Sequence, residues 1–338
     1  MIVKYLVSLS VAVFACAVPS GAIDAKSDIR VCSLVVEETA GQLAIFDPNG
    51  RSLARVPLGE RPHEIAVAPD GRKAWVPMFG IADYNNRLGT PGKWVSEIDL
   101  RTARVTGRLL LPPNLSAPHG VAVRPHSREL FINAEVPSDV MLVFDTTSRR
   151  LIRSFALPQA THNFIFSADG TSLFSFAGRA GVTRLDPFGG TFLAHIDIGS
   201  PARGLRLIPG AAGELAVAGK GEVIIVSSTS LEVLRRLPSP VAGQLAYLEV
   251  LQDGTIVAPS LSDNGVAIFY TDGTSRFMAT GKTALVARHS PLGTILVSNV
   301  LDTHLTTMDA TLSNPKPFGD VSGANGIAFG ACPWGHSR

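Results

Sequence analysis

One short segment returns seven times along the chain at a period of about 40 residues, and that recurrence limits the fold more than any other feature. Its best copies begin Arg61-Pro62-His63-Glu64, Ala117-Pro118-His119-Gly120 and Ala160-Thr161-His162-Asn163, and each runs on through alternating apolar residues. Weaker copies are centred on Arg203, Ala246, Leu285 and Asn325. With His63 as reference, successive spacings are 56, 43, 41, 43, 39 and 40 residues, so only the first is long. A unit of this length that carries four apolar runs, separated by Asp-Gly and other glycine turns, reads as a small antiparallel sheet. Seven such units in 338 residues predict an all-β, seven-bladed β-propeller with four antiparallel strands per blade.

The seventh repeat lacks three strands, because only residues 326–331 of it precede the C-terminal tail. Three unassigned apolar runs lie at the opposite end of the chain, at 31–37, 42–47 and 52–58, where they match second, third and fourth strands. The ring is therefore expected to close by pairing N-terminal strands with the C-terminal one, which removes the open edges of a linear array. The cysteines bear on this register. Cys32 and Cys332 fall on the two flanks of the turn that the composite blade lacks, and a disulfide there is expected to replace it. Two free buried thiols are the alternative.

Composition narrows the setting. Charged residues make up 17% of the chain and net charge is +2, with no Lys/Arg block, so no nucleic-acid partner is expected. Lys4, the apolar run at 5–15 and the small residues Ser20-Gly21-Ala22 read as a signal peptide over residues 1–22, leaving 23–338 as the propeller. Export to the periplasm or secretion follows. Val13-Phe14-Ala15-Cys16 loosely resembles a bacterial lipobox, so a lipid anchor at Cys16 is the alternative to a freely soluble protein. No transmembrane segment is expected, since no stretch stays apolar for about 20 residues. Oligomeric state has no signature in the pattern.

The repeat resembles that of the YVTN family of β-propellers, within a wider group of lactonase-like and quinoprotein-like propellers. Phe131-Ile132-Asn133, Leu296-Val297-Ser298-Asn299 and Ala74-Trp75-Val76 stand where that family has its second-strand signature. Residues 95–99 and 141–145 are similar to its third strand. The resemblance spans nearly all of the chain past residue 22 and is strongest over the first three repeats. It implies a propeller, and with it a range of activities that includes ligand binding, hydrolysis, lyase and redox chemistry.

In such a ring the first strands line the axis and start at one rim of a central channel, so His63, His119 and His162 are expected to converge there. Three imidazoles from separate blades suit a divalent transition metal, whose identity the sequence leaves open. Hydrogen bonds to neighbouring blades are the structural alternative for these histidines. Arg203, Asn163 and Asn325 stand at or beside the same position in their repeats and are candidate ligand-binding residues, while Glu64 and His63 are the candidates for moving a proton. The long first spacing places an insertion at 80–94 on this face, with Tyr84 and Arg87 as further ligand contacts and Trp94 as an apolar cover. A neutral surface insertion is equally cheap. Glu37, Glu38, Glu135, Arg179, Asp263 and Asp302 lie in other connections of that face without individual assignment. His289 is expected to pack mid-strand.

These features predict an exported propeller that binds a small ligand through a metal in a His-lined axial pocket. A metal-dependent lactonase-like hydrolase or lyase acting in the same pocket is the first alternative, and a cell-envelope interaction platform the second. No phosphate-cradling loop, Gly-x-Ser-x-Gly elbow or Cys-x-x-Cys-His haem site occurs in the sequence.

Overall fold

The computed structural model describes residues 30–82, 88–177, 181–211 and 213–333. The expected signal peptide, Cys16, Tyr84, Arg87 and Arg179 lie outside these. Strand order gives seven four-stranded antiparallel sheets. The first blade comprises Ala66–Val67, Lys73–Pro77, Trp94–Asp99 and Arg104–Leu110, and the second comprises Ser116–Val123, Glu129–Val136, Val140–Asp145 and Leu151–Ala156. Thr161–Phe166, Leu205–Leu207, Glu249–Val250 and Ala284–His289 are the inner strands of blades three to six.

The seventh blade is composite. Its inner strand is Ala324–Ala331, hydrogen-bonded to Val31–Glu37 and followed outward by Gln42–Phe46 and Ser52–Pro57. The missing turn is replaced as expected by a disulfide between Cys32 and Cys332, with Cα atoms 5.0 Å apart and 300 residues between them in sequence. In the chain-entropy model a loop of that size stabilises by about 5–6 kcal/mol. Such a bond belongs to an oxidising compartment. The described residues contain no helix, hence none long and apolar enough to cross a membrane.

Middle strands are buried almost without alternation, as in Gly265–Phe269 and Ile295–Asn299, because neighbouring blades cover both of their faces. Outer strands face water, and Val233–Pro238 is exposed along nearly all its length. The core is accordingly a series of interblade layers. Leu34, Leu43 and Ile45 of the closing blade pack on Ala74, Val76 and Ile98 of the first, and Trp75 and Val95 of the first pack on Leu130, Ile132 and Leu142 of the second.

The Asp-Gly turns have a local cause. Gly71 (φ 70°) and Gly170 (φ 69°) sit in the left-handed region that glycine enters freely. Their N–H groups donate to the carbonyls of Ala68 (2.8 Å) and Ser167 (2.9 Å), while Asp70 and Asp169 accept from the backbone N–H groups of Arg72 and Thr171, two residues on, at 3.0 Å.

Two expectations need correction. His289 is not packed mid-strand: it is the last residue of Ala284–His289, where the strand leaves the blade, and it is exposed. Trp94 is no loop cover: it opens the third strand of the first blade, half-buried beside Met78, with the Arg108 guanidinium 4.7 Å from its ring.

Candidate metal centre at one rim of the channel

His63, His119 and His162 come together. Their ring centroids lie 4.3 Å (His63 to His119) and 4.0 Å (His119 to His162) apart, and one ring nitrogen of each lies within 4.8 Å of the others. The backbone feature behind this convergence repeats from blade to blade. The residue two positions before each histidine has a positive φ, at Arg61 (50°), Ala117 (56°) and Ala160 (63°), none of them glycine. Each such residue costs of the order of 1 kcal/mol and is held by its surroundings. Nothing in the identities of Arg61, Ala117 and Ala160 announces that conformation, so sequence reasoning missed it.

Close packing fixes His119 and His162 further. A Cβ on Gly120 would stand 2.5 Å from Asn163 Oδ1 and 2.6 Å from Asn133 Oδ1, which explains glycine after the histidine in the second blade. Asn133, from the second-strand motif, donates to the carbonyls of Thr161 (3.4 Å) and His162 (3.5 Å) and so ties the second blade to the third. The root of the insertion closes one side: the Phe79 ring lies 5.2 Å from His63 and 4.8 Å from His119, and Phe79, Ile81 and Ala117 form a small buried cluster.

Carboxylates flank the imidazoles. Glu38 Oε2 lies 3.4 Å from His63 Nδ1, and Glu38 also accepts from Arg61 (3.1 Å) and Asn325 (3.0 Å). Asn325 Nδ2 stands 3.0 Å from His63 Nδ1. Glu135 Oε1 lies 3.5 Å from His162 Nδ1 and 3.9 Å from His119 Nδ1. Glu38 and Glu135 stand beside the imidazoles, and sequence reasoning left both unassigned. Their face was legible, but their pairing with particular histidines depends on which blades are neighbours.

Burial sets the charge states. It pushes His162 down to about 3, helped by the positive charges of Arg203 and His63, and holds His119 well below its ordinary value, helped by His162 and His63. At His63 burial works the same way, but the hydrogen bond and charge of Glu38 outweigh it and the net shift is upward. Burial also pushes Glu135 up to about 8 against the pull of His63. Two neutral imidazoles thus present lone pairs, as metal ligation requires.

The clearest sign of an unfinished site is polar. Among the described residues, seven buried side-chain atoms lack a hydrogen-bond partner, and four of them are His119 Nδ1 and Nε2, Glu135 Oε1 and Asn325 Oδ1. Each such atom costs about 1–3 kcal/mol when nothing pairs with it, and here they crowd one spot. A fully buried imidazole with no well-formed hydrogen bond on either nitrogen fits a ligand to an ion. The donor set could therefore hold a metal. Tetrahedral ligation at 2.0–2.1 Å would bring the nitrogens to about 3.4 Å from one another, a side-chain adjustment of roughly 1 Å.

Glu64 and Asn163 are paired with each other rather than with the imidazoles. Asn163 Nδ2 donates to Glu64 Oε1 at 3.0 Å, below the histidine layer. Arg203 lies close enough for its charge to depress His119 and His162.

No family model and no curated protein matches this chain. Solved structures do. A functionally unknown protein from Desulfotomaculum acetoxidans DSM 771 is 15% identical with a TM-score of 0.67, covering 89% of this chain and 99% of its own. The computationally designed Ika8 protein is 13% identical with a TM-score of 0.61, covering 88% and 89%. Dihydro-heme d1 dehydrogenase NirN, in complex with DHE, is 14% identical with a TM-score of 0.64, covering 88% of this chain and 74% of that one. The shared feature is the propeller. At such low identities the likeness is one of fold, and the histidine centre is argued from this chain's own residues.

Proposed function

We propose that this is an exported protein that binds a small ligand through a divalent transition-metal ion held by His63, His119 and His162. The observation that carries the reading is His119, fully buried between the other two imidazoles with neither nitrogen satisfied. Three histidines leave a coordination position for an exogenous ligand, and all-imidazole sites favour zinc, copper, nickel or iron over calcium or magnesium. Glu38 beside His63 and Glu135 beside His162 occupy the outer positions from which carboxylates orient ligating histidines. The resemblance of the repeat to YVTN and lactonase-like propellers supports the reading. So does the NirN structure, a propeller-containing protein described in complex with DHE. The disulfide and the N-terminal pattern support export to the periplasm or beyond.

The test is metal analysis of tag-free protein beside the variant with all three histidines replaced by alanine. About one ion per chain in the native protein, absent from the variant, is the expected result, and equal content in both sinks the proposal. A metal-assisted hydrolase or lyase at the same centre is the second reading, favoured by Glu135 with an unpartnered oxygen at its edge. Turnover of lactones or esters that a chelator abolishes would establish it.

A further inference from the structure

Beyond the histidine layer the channel widens into a cavity of about 430 Å³, which runs along the inner strands from Glu64 and Asn163 to Pro125 and Phe166. That volume is within the range of small-molecule pockets. Its wall has two chemistries. Val121, Phe164, Phe166 and Phe176 make one side apolar, while Arg206 and Arg288 reach it from the fourth and sixth blades. Both arginines stand three residues past the rim position, as does Glu249 on the blade between them. At that level the first three blades and the seventh carry Ala66, Ala122, Ile165 and Ala328.

Arg206 Nε is 3.8 Å from Glu249 Oε2, beyond a direct hydrogen bond, so this carboxylate leaves guanidinium donors to spare. Each guanidinium has five N–H donors. Among the described residues, Arg288 donates to the Ala287 carbonyl (2.7 Å) and Arg206 to the Leu205 carbonyl (3.0 Å), and no further hydrogen bond occupies either fork. Burial pushes Arg288 down to about 10, with Arg206 adding to the effect and Glu249, Glu64 and Tyr247 opposing it. Glu64 lines the same cavity, where it accepts from Asn163, and its charge also acts on Arg288.

We propose that this half of the channel is a second binding site, separate from the histidine centre, for a small organic monoanion: its carboxylate meets Arg206 and Arg288, and its apolar body lies against Val121, Phe164, Phe166 and Phe176. A carboxylate would take up the spare donors of the two guanidinium groups, and the fork geometry of arginine suits it. The apolar wall selects for a hydrocarbon or aromatic body over a compact inorganic ion.

The test is calorimetric titration of the full chain with 3-phenylpropanoate and with straight-chain carboxylates from butanoate to octanoate, each beside its neutral amide. At least one acid is expected to bind about ten-fold or more tightly than its amide, as charge-assisted hydrogen bonds require. Arg288→Met and Arg206→Met each lose that preference, whereas His119→Ala keeps it, so failure here and failure of the metal centre are distinguishable. Thermal unfolding supplies a readout that a merely structural arginine would not give: without ligand, Arg288→Met melts at or above the native temperature because a desolvated guanidinium has gone. Should Arg288→Met not fold, the site reading is overturned for Arg288 as a strained ligand-binding group. Acids and amides binding alike, or no saturable binding by any acid of the series, overturns the proposal outright.

Discussion

The channel has two levels, and the two halves of the ring exchange polarity between them. At the rim, blades one to three carry His63, His119 and His162 while blades five and six carry Ala246 and Leu285. Three residues further along the same strands, the first three blades carry Ala66, Ala122 and Ile165, while blades four to six carry Arg206, Glu249 and Arg288. A ring of near-identical backbones thus bears two unlike groupings, an imidazole cluster above and a pair of guanidinium groups with spare donors below. Repetition supplies the frame, and each chemistry occupies only an arc of it. Two separate ligand preferences in one channel are the consequence.

The comparison can be broken most forcefully at the closure that both levels share. Replacing Cys32 and Cys332 by serine is expected to cost about 5 kcal/mol in denaturant unfolding, and to weaken both levels together as the ring loosens. Loss of one level alone would show that they do not depend on a common closure. A smaller effect is expected at the brace of the histidine half. Glu97 is buried, and it accepts from Arg149 of the second blade (2.7 Å) and from Lys73 (3.2 Å). Burial raises its pKa, but these partners outweigh burial and hold it below its ordinary 4.5. A depressed carboxylate stabilises at neutral pH, and that contribution is lost as pH falls through the folded-state value. Glu97→Gln should therefore cost about 2 kcal/mol at pH 7 and progressively less under acid, read from unfolding midpoints at several pH values.

The upper level is sharpened by single substitutions. His119→Ala is expected to weaken metal binding about 100-fold while leaving the fold intact, since it removes a buried imidazole that holds no well-formed hydrogen bond. A cobalt(II) titration followed by its visible spectrum reads this directly. Glu38→Gln should have the smallest effect, about ten-fold in metal affinity, because Glu38 orients His63 without standing among the three ligands. An unchanged cobalt spectrum with unchanged affinity would remove Glu38 from that role.

Much of this was legible before any coordinates. The seven copies of the rim segment, the three N-terminal runs and the two cysteines sufficed for the composite blade, because register in a closed ring is set by counting strands. The histidines were legible as an in-register set for the same reason. Less visible were the partners. Glu38 and Glu135 stand in connections, where no periodicity marks which charged residue turns inward. Phe79, at the root of the insertion, covers two imidazoles and carried no signal in the sequence, while Trp94, expected as a loop cover, opens the third strand. Arg206 and Arg288 stand in weak repeats where nothing singles them out, and only the cavity that both line relates them.

By itself, then, the sequence determined the architecture: strand number, the strands that close the ring, and the level at which three histidines stand. Those follow from periodicity and turn chemistry, which act along the chain. Tertiary structure alone decided which polar atoms go unsatisfied and which charges meet, since both depend on groups that neighbouring blades bring together across hundreds of residues. The ring that was counted from its repeats is the same ring that leaves His119 without a well-formed hydrogen bond on one level and Arg288 with donors to spare on the other.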